Sequence, residues 1–346
     1  MKRRDFVVGA AGAAFAHSVF GRIDHLLRHD GRSIAVAGPR ISTTPGSEGF
    51  GTRVKVLGIG GIGESVLHHL QRSASNVVAE YIGIGTAHTN TGHAGTGLPW
   101  RGENDGDADV VNSWTAATSF LLDGTDLAIV VVGHDDAADL QLAARVATVA
   151  REAGALTFAV VAVAPANETP GRDLHHESAM NELSTAATWL VRIPEITTDA
   201  LLNAQSSRRH LDGGSIHPLV SGIRGLVEIL DCKLIGIDFD DLRSCFPQAG
   251  VIRHALGHGT GIEMAGLAAR QVLAGHSIGG PLNPPRGILV AIAGNETGLK
   301  MKHVTQVLDA VFREFPSDIP RTYGTVFNDR MRHDALEVSL YVAHRA

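Results

Sequence analysis

The chain has 346 residues, of which 44% are hydrophobic and 19% charged, and its formal net charge is −6. This length can bury two domain cores, whereas the acidic balance gives no basic footprint and argues against a nucleic-acid partner. The only cysteines, Cys232 and Cys245, cannot form a disulfide framework or a structural zinc site, and no apolar run is long enough to cross a membrane.

The start of the chain, residues 1–16, resembles a twin-arginine export signal. Arg3 and Arg4 precede Phe6 and a short apolar stretch, and a small-residue box follows at the end of the segment. A charged start, an apolar core and a cleavage-like box in this order are typical of proteins exported to the periplasm. The alternative is a cytoplasmic extension with a chance arginine pair. Residues 17–50 are predicted as linker because they are rich in Gly, Pro, Ser and Thr.

From residue 53 onward, apolar segments alternate with segments of helical spacing. We predict strands at 53–59, 77–85, 126–132, 155–163 and 188–193, and helices at 60–72 (opening with a glycine turn), 108–122, 137–153 and 173–187. Continuous apolar strands that alternate with helices indicate a parallel, doubly wound α/β sheet.

The second half of the chain has a different pattern, with strands that follow one another near its end. We predict helices at 215–230, 261–274 and 300–315, an acidic loop at 236–242, and strands at 287–294, 320–328 and 335–343. Consecutive strands favour a smaller mixed sheet, and therefore an α+β unit.

A glycine-rich turn follows the first strand, with Gly58, Gly60, Gly61 and Gly63. Such a turn lets the backbone approach a phosphate at a helix N-terminus. A dinucleotide-binding protein would also carry an acid at the end of the second strand to hold the ribose. That strand ends without one, although Glu80 lies within it. An exported NAD-dependent oxidoreductase of Rossmann type therefore stays only as an alternative.

Three carboxylates, Asp135, Asp136 and Asp139, follow the buried strand that ends at Gly133. In nucleotide-binding α/β proteins this junction usually holds glycines. Asp135 or Asp136 is suited to cap the next helix, and Asp139 falls in its first turn, where the helix dipole favours an anion. We therefore predict a capping role for this acidic segment.

Histidines occur in three groups that could suggest a metal, at His68–His69, at His175–His176 with Glu177, and at His254 with His258. The second group lies on an amphipathic helix and is predicted to face solvent. His254 and His258 would share a face if their segment were helical, but its pattern is strand-like. We predict no metal site.

The order of these motifs resembles FtsZ, the bacterial cell-division tubulin, across residues 53–343. The best-matched stretches are 54–70, 142–194, 234–246 and 257–312. The resemblance implies a tubulin/FtsZ-type α/β fold, in which a Rossmann-like parallel-sheet GTPase domain is joined by a central helix to a smaller α+β domain. The implied boundaries are an N-terminal extension at 1–50, the nucleotide-binding-type domain at 51–212, the central helix at 213–232 and the C-terminal domain at 233–346.

The resemblance also implies where a guanine nucleotide, GTP or GDP with Mg²⁺, would bind. Gly58, Gly60, Gly61 and Gly63 match the loop that wraps its phosphates, whereas Ile62 and Glu64 replace two further glycines of the family. Glu168 and Arg172 match the residues that contact the ribose, and Gly133 is the remaining candidate contact.

Other parts of the family's site are replaced. The signature run of glycines and threonines falls on residues 135–141, which contain neither residue type. The Asn-Thr-Asp after the second strand becomes Gly85-Thr86-Ala87, the guanine-reading Asn becomes Glu195, and the base-contacting Asp falls near His217. A carboxylate within ~4 Å of a triphosphate costs about 1–4 kcal/mol per close charge pair. We therefore expect impaired GTP binding, which leaves GTPase activity undecided.

The acidic loop supplies Asp238 and Asp241 at positions where the family positions water in the next subunit's site. The alternative is an acidic turn that opens a helix at 240–247. By resemblance, the partners are further copies of the chain, head to tail, or a true FtsZ. Because the sequence ends at Ala346, soon after the last predicted strand, we expect no counterpart of the family's C-terminal peptide for membrane adaptors. A further alternative is an active GTPase that uses a cation at its altered phosphate loop.

Overall fold

The structure, a computed structural model, describes residues 53–73, 79–86, 96–100, 108–134, 136–163, 174–194, 218–230, 236–246, 250–277 and 284–344. The signal-like and linker segments lie outside these ranges, as do the predicted site residues Glu168 and Arg172 and the acidic residue Asp135. Within the described part, none of the helices combines the length and apolar character needed to cross a membrane.

The strands of the described part form one sheet. They are β1 (Val54–Ile59), β2 (Ala79–Thr86), β3 (Thr96–Trp100), β4 (Leu127–Gly133), β5 (Leu156–Val163), β6 (Trp189–Pro194), β7 (Gly250–Thr260), β8 (Pro285–Gly294), β9 (Arg321–Phe327) and β10 (Ala335–His344). Their spatial order is β3-β2-β1-β4-β5-β6-β7-β10-β8-β9. All neighbours from β3 to β7 are parallel, β10 is antiparallel to both β7 and β8, and β9 is parallel to β8.

The helices lie on both faces of this sheet. They are α1 (Gly60–Ser73), α2 (Ala108–Leu122), α3 (Ala137–Glu152), α4 (Leu174–Ala186), α5 (Pro218–Glu228), α6 (Phe239–Cys245), α7 (Met264–Ser277) and α8 (Met301–Arg313). The α/β prediction is therefore confirmed, and α5 lies within the stretch predicted as the central helix.

The predicted mixed pairing in the second half is present, but these strands do not form a sheet of their own. β6 pairs with β7 in parallel from Trp189 opposite Gly250 to Arg192 opposite Arg253. The two halves of the chain therefore share one continuous sheet. Four residue pairs join them, and α5 packs across β6, β7, β8 and β10 beside that junction.

Three hydrophobic clusters stabilise the sheet. One lies between the sheet and helices α1 and α5, a second between the parallel strands and helices α3 and α4, and a third between β7–β10 and helices α7 and α8. β4 is buried at every position because it contributes side chains to the first two clusters. This agrees with the continuous apolar run predicted as a strand buried on both faces.

Two details of the first half were not predicted. The edge strand β3 was missed because Gly97 and Pro99 are both unfavourable in strands. In addition, α1 begins directly at Gly60, so most of the predicted glycine turn belongs to the helix itself.

Candidate functional site

The glycine segment joins β1 to α1, and two of its glycines are required by packing. A Cβ atom at Gly58 would lie 2.5 Å from the carbonyl oxygen of Gly63. A Cβ atom at Gly63 would lie 2.6 Å from the carbonyl carbon of Gly58 and 2.8 Å from the carbonyl oxygen of Val131. Strand β1, helix α1 and strand β4 therefore approach one another more closely than any other residue type allows.

Gly60 has a different role, because an acidic side chain lies against it. Its φ of 66° is in the left-handed region that favours glycine. A Cβ atom there would lie 2.6 Å from Cγ of Asp139 and 3.1 Å from Oδ1 of Asp139. The Asp139 carboxylate therefore occupies the space beside the N-terminus of α1. A helix N-terminus generally favours an anion, but burial and neighbouring carboxylates outweigh this effect at Asp139.

The surroundings of Asp139 oppose its ionisation. Burial raises the pKa of Asp139 to about 6, and the nearby carboxylates of Asp136 and Glu64 also act to raise it. Three acidic side chains thus lie close together at the predicted phosphate position. Both a desolvation cost and charge repulsion would oppose a second anion in this space.

An aliphatic side chain covers the end of β4. A Cβ atom at Gly133 would lie 2.7 Å from Cδ1 of Ile62, so this side chain fills the space over Gly133. At Gly61, in contrast, a Cβ atom would point into open space. The candidate phosphate-binding residues Gly58, Gly60, Gly61, Gly63 and Gly133 therefore do lie together. A carboxylate and an isoleucine nevertheless fill the space beside Gly60 and Gly133.

The predicted capping role of the acidic segment is confirmed for Asp136. This residue is the N-cap of α3, and its Oδ1 accepts a hydrogen bond from the backbone N–H of Ala138 at 2.8 Å. Asp139 lies in the first turn of the same helix, as predicted. One short helix start therefore supplies both the cap and the carboxylate beside Gly60.

Asp238 and Asp241 open α6 as a reciprocal capping box. Oδ1 of Asp238 accepts from the N–H of Asp241 at 2.7 Å, and Oδ2 of Asp241 accepts from the N–H of Asp238 at 3.2 Å. Both side chains are exposed. The observed geometry is thus that of the alternative considered above, an acidic turn that opens a helix. The helix begins at Phe239, one residue before the predicted start at 240.

The two sets of candidate residues lie at opposite ends of the sheet's parallel strands. The glycine segment follows the carboxyl end of β1, whereas α6 packs beside the start of β8, where the Cys245 thiol donates to the carbonyl of Ile288 at 3.0 Å. Strands β1 and β4–β8 all run in the same direction. Within one chain, Asp238 and Asp241 therefore do not meet the glycine segment.

The reasoning about His254 and His258 was wrong. Their segment is a strand, as predicted, but residues four apart on a strand also share a face, here the one that faces α5. His254 is fully buried against Tyr341 with ring centroids 4.9 Å apart, and burial lowers its pKa to about 3. His258 Nδ1 lies 3.5 Å from Glu337. Among the described residues, no group of three or more His, Cys, Asp or Glu side chains is arranged to hold a metal ion.

A buried ionic network between α5 and β10 was missed by the sequence reasoning. Arg224 Nε lies 3.4 Å from Glu228, and Arg224 Nη2 lies 3.8 Å from Glu337, with every side chain at most 8% exposed. The four-residue spacing of Arg224 and Glu228 on a helix was a usable signal. The contact with Glu337 is long-range, and nothing in the local sequence indicates it.

Glu80, the only acid within the second strand, lies near the amino end of β2. Its carboxylate pairs with Lys55 Nζ at 2.9 Å. A ribose-binding acid would have to lie at the carboxyl end of that strand.

Comparison with known proteins gives one consistent result. No family model matches the chain. It is 24% identical over 308 residues to cell division protein FtsZ of Neisseria meningitidis serogroup A, which covers 83% of this chain and 76% of that protein. It is also 24% identical over 216 residues to cell division protein FtsZ 1 of Archaeoglobus fulgidus, which covers 62% of this chain and 58% of that protein.

Solved structures show the same fold. An FtsZ variant from M. jannaschii superimposes with a TM-score of 0.70 at 18% identity, covering 85% of this chain and 92% of that chain. TubZ of Bacillus thuringiensis serovar israelensis, solved as GDP-form protofilaments, superimposes with a TM-score of 0.56 at 8% identity, covering 85% and 86%. The sequence match over most of the chain and the shared fold together support a divergent FtsZ/tubulin-superfamily protein.

Proposed function

We propose that the protein is an FtsZ-like filament-forming or filament-modulating protein that associates head to tail and has impaired guanine-nucleotide binding. The relatives support the first part, because they include cell division proteins and a TubZ solved as protofilaments. The topology supports it too. The glycine segment Gly58–Gly63 and the acidic turn at Asp238 lie at opposite ends of the strands. A second copy stacked along the strand direction would therefore bring its acidic turn to the glycine segment of the first copy.

The position of Asp139 carries the second part of the proposal. Its carboxylate lies against Gly60, where the nucleotide's phosphates would have to approach the backbone. A triphosphate in that space would meet Asp139, Asp136 and Glu64, each at a cost of about 1–4 kcal/mol for a charge pair ~4 Å apart. Three such pairs cost about 3–12 kcal/mol in total, a range that brackets the binding free energy of about 8 kcal/mol for micromolar affinity. On this proposal the residues present do not fit GTP or GDP, and the site does not hydrolyse a nucleotide.

Asp238 and Asp241 would consequently have a structural role in this protein. In the family they would act on a nucleotide held by the adjacent subunit. A copy of the same chain presents Asp139 at that place, whereas a true FtsZ would present its own nucleotide. We therefore propose either further copies of this chain or a true FtsZ as the partner, and we assign the two aspartates primarily to capping α6.

Two alternatives are less well supported by the geometry. An active GTPase that uses Mg²⁺ at its altered phosphate loop would need the carboxylates there to converge on the ion. Asp136 instead caps α3 and Asp139 lies against Gly60, whereas Asp135 lies outside the described residues. A Rossmann-type oxidoreductase would need a ribose-binding acid at the carboxyl end of β2, but Glu80 lies near the other end and pairs with Lys55. Both remain testable outcomes of the experiment below.

The experiment measures self-association and nucleotide affinity of the full-length protein in parallel. Sedimentation velocity over a range of concentrations should show assembly that does not change when GTP and Mg²⁺ are added. A strictly monomeric protein that also leaves the sedimentation of a bacterial FtsZ unchanged would refute the filament proposal. Micromolar GTP binding would instead support the GTPase, and micromolar NAD binding without guanine-nucleotide binding would support the oxidoreductase.

A loop exchange tests the role of the acidic segment. Replacing residues 135–141 with a glycine- and threonine-rich loop, together with Ile62→Gly, should raise the GTP affinity of the protein. Asp309→Asn removes an exposed carboxylate on α8 and serves as the matched control. An unchanged GTP affinity in a folded loop variant would contradict the view that these side chains obstruct the nucleotide.

A further inference from the structure

Three basic side chains from three different elements meet on one face of the sheet, where β7 begins and β10 ends. Arg253 lies on β7, His344 ends β10, and His276 lies in the last turn of α7. The rings of His276 and His344 are stacked, with centroids 5.9 Å apart and planes 11° apart. His344 is opposite Val251 in the register, so Arg253 and His344 are diagonal neighbours. We call these three residues the basic cluster.

The basic cluster is substantially shielded from solvent. His344 is only 4% exposed, and His276 is partly buried beside the ring of Phe315, at 5.5 Å between centroids. Nδ1 of His276 is buried and has no hydrogen-bond partner among the described residues. A buried nitrogen without a hydrogen-bond partner lowers the stability of the folded protein, and a bound ligand could supply that partner. Arg192 lies opposite Arg253 on β6 and adds a second guanidinium on the same face.

Burial and neighbouring basic groups both disfavour the protonation of His276 in the basic cluster. Burial lowers the pKa of His276 to about 4, and the neighbouring His344 and Arg253 also act to lower it. Burial also lowers the pKa of Arg253. Side chains with such neighbours resist taking up further positive charge, and an anion placed among them would relieve that cost. The Arg253 guanidinium therefore supplies the positive charge of this partly desolvated site, and His276, neutral at pH 7, adds a hydrogen-bond donor.

We infer that Arg253, His276 and His344 form a binding site for a small oxyanion of the phosphate type, either free phosphate or the phosphate group of a monoester. The planar guanidinium can donate two parallel hydrogen bonds to such a group, and an imidazole N–H can donate a third. This site lies near the start of β7, apart from the glycine segment at the carboxyl end of β1. The proposed oxyanion site therefore does not depend on whether the glycine segment binds a nucleotide.

The direct test follows the titration of His276 in the full-length protein by NMR, with inorganic phosphate and with chloride at matched ionic strength. An anion bound within ~4–6 Å favours the protonated imidazole, so phosphate should raise the pKa of His276 by about 1. Chloride should leave it unchanged. If phosphate and chloride give the same His276 pKa, the inference is wrong, and this result requires no variant.

A matched pair of variants then locates the site. Arg253→Gln should weaken phosphate binding about tenfold, the typical effect of losing a hydrogen bond to a charged group. Arg270→Gln removes an exposed arginine from α7, the helix that carries His276, and should leave the affinity unchanged. Equal losses in both variants would overturn the assignment. Glycerol phosphate as a second probe separates the sources: tighter binding than phosphate indicates a phosphorylated ligand, and equal binding indicates free phosphate.

Discussion

Replacing Asp139 with asparagine should stabilise the folded protein at neutral pH, because the native carboxylate lies in surroundings that oppose its charge. Its folded pKa is about 6, whereas the ordinary value is 3.8. Between these two values the folded state binds more protons than the unfolded state. The free energy of unfolding therefore falls as pH rises through that window, and the ionised carboxylate is a net cost at pH 7.

The size of this effect follows from the pKa difference. A difference of about 2 corresponds to about 3 kcal/mol at ~1.36 kcal/mol per pKa unit, as an upper bound. Asp139 is only half-buried and Asp136 is exposed, so solvent screening reduces the expected gain to about 1–2 kcal/mol. The amide of the introduced asparagine would have nearly the same shape beside Gly60, so packing should change little.

The assay is urea unfolding of the wild type and of the Asp139→Asn variant at pH 7 and at about pH 4.5. The stability gain should shrink to less than half of its neutral-pH value at the lower pH, because the wild-type carboxyl is then largely protonated when folded. Asp309→Asn, which alters an exposed carboxylate, should change stability by less than about 0.5 kcal/mol at either pH. A variant that is less stable than the wild type at pH 7 would refute the proposed electrostatic cost.

Three further predictions concern packing, acid stability and capping. Gly58→Ala should destabilise the protein by about 1–3 kcal/mol in thermal or urea unfolding, because its Cβ would collide with the backbone of Gly63; an unchanged midpoint would contradict the close strand–helix approach. The unfolded state takes up a proton on His254 as pH falls below 6.5, whereas the folded state does so only near pH 3, so stability should fall across this window. Between pH 6.5 and about 4, the free energy of unfolding of the His254→Phe variant should fall by about 3 kcal/mol less than that of the wild type. Equal decreases would refute the lowered pKa of His254. Asp238→Ala should cost about 1 kcal/mol through the lost cap of α6, with an unchanged unfolding curve as the contrary result.

Local patterns predicted most of the elements, because their causes are local. The uniformly apolar segment that became β4 and the helical spacing of residues 137–153 specified their structures without reference to the rest of the chain. The strand-like segment with His254 was also assigned correctly. The conclusion about which of its side chains share a face was not, since it neglected the two-residue period of a strand.

The contacts that define the candidate site could not be predicted in the same way. Glycine spacing indicated a phosphate-binding turn, and the acidic segment indicated a helix cap. That the carboxylate of Asp139 lies against Gly60 depends on the packing of α1 against β4, which juxtaposes residues far apart in sequence. The pairing of β6 with β7 is likewise a long-range contact, and it turned two predicted sheets into one.

The central claim is that the side chains of this FtsZ-like protein occupy the place of the nucleotide's phosphates. The most direct test is the GTP affinity of the purified full-length protein, measured by calorimetry with and without Mg²⁺. We predict no binding in the micromolar range under either condition. Micromolar GTP binding by the unaltered protein, with or without Mg²⁺, would contradict the account.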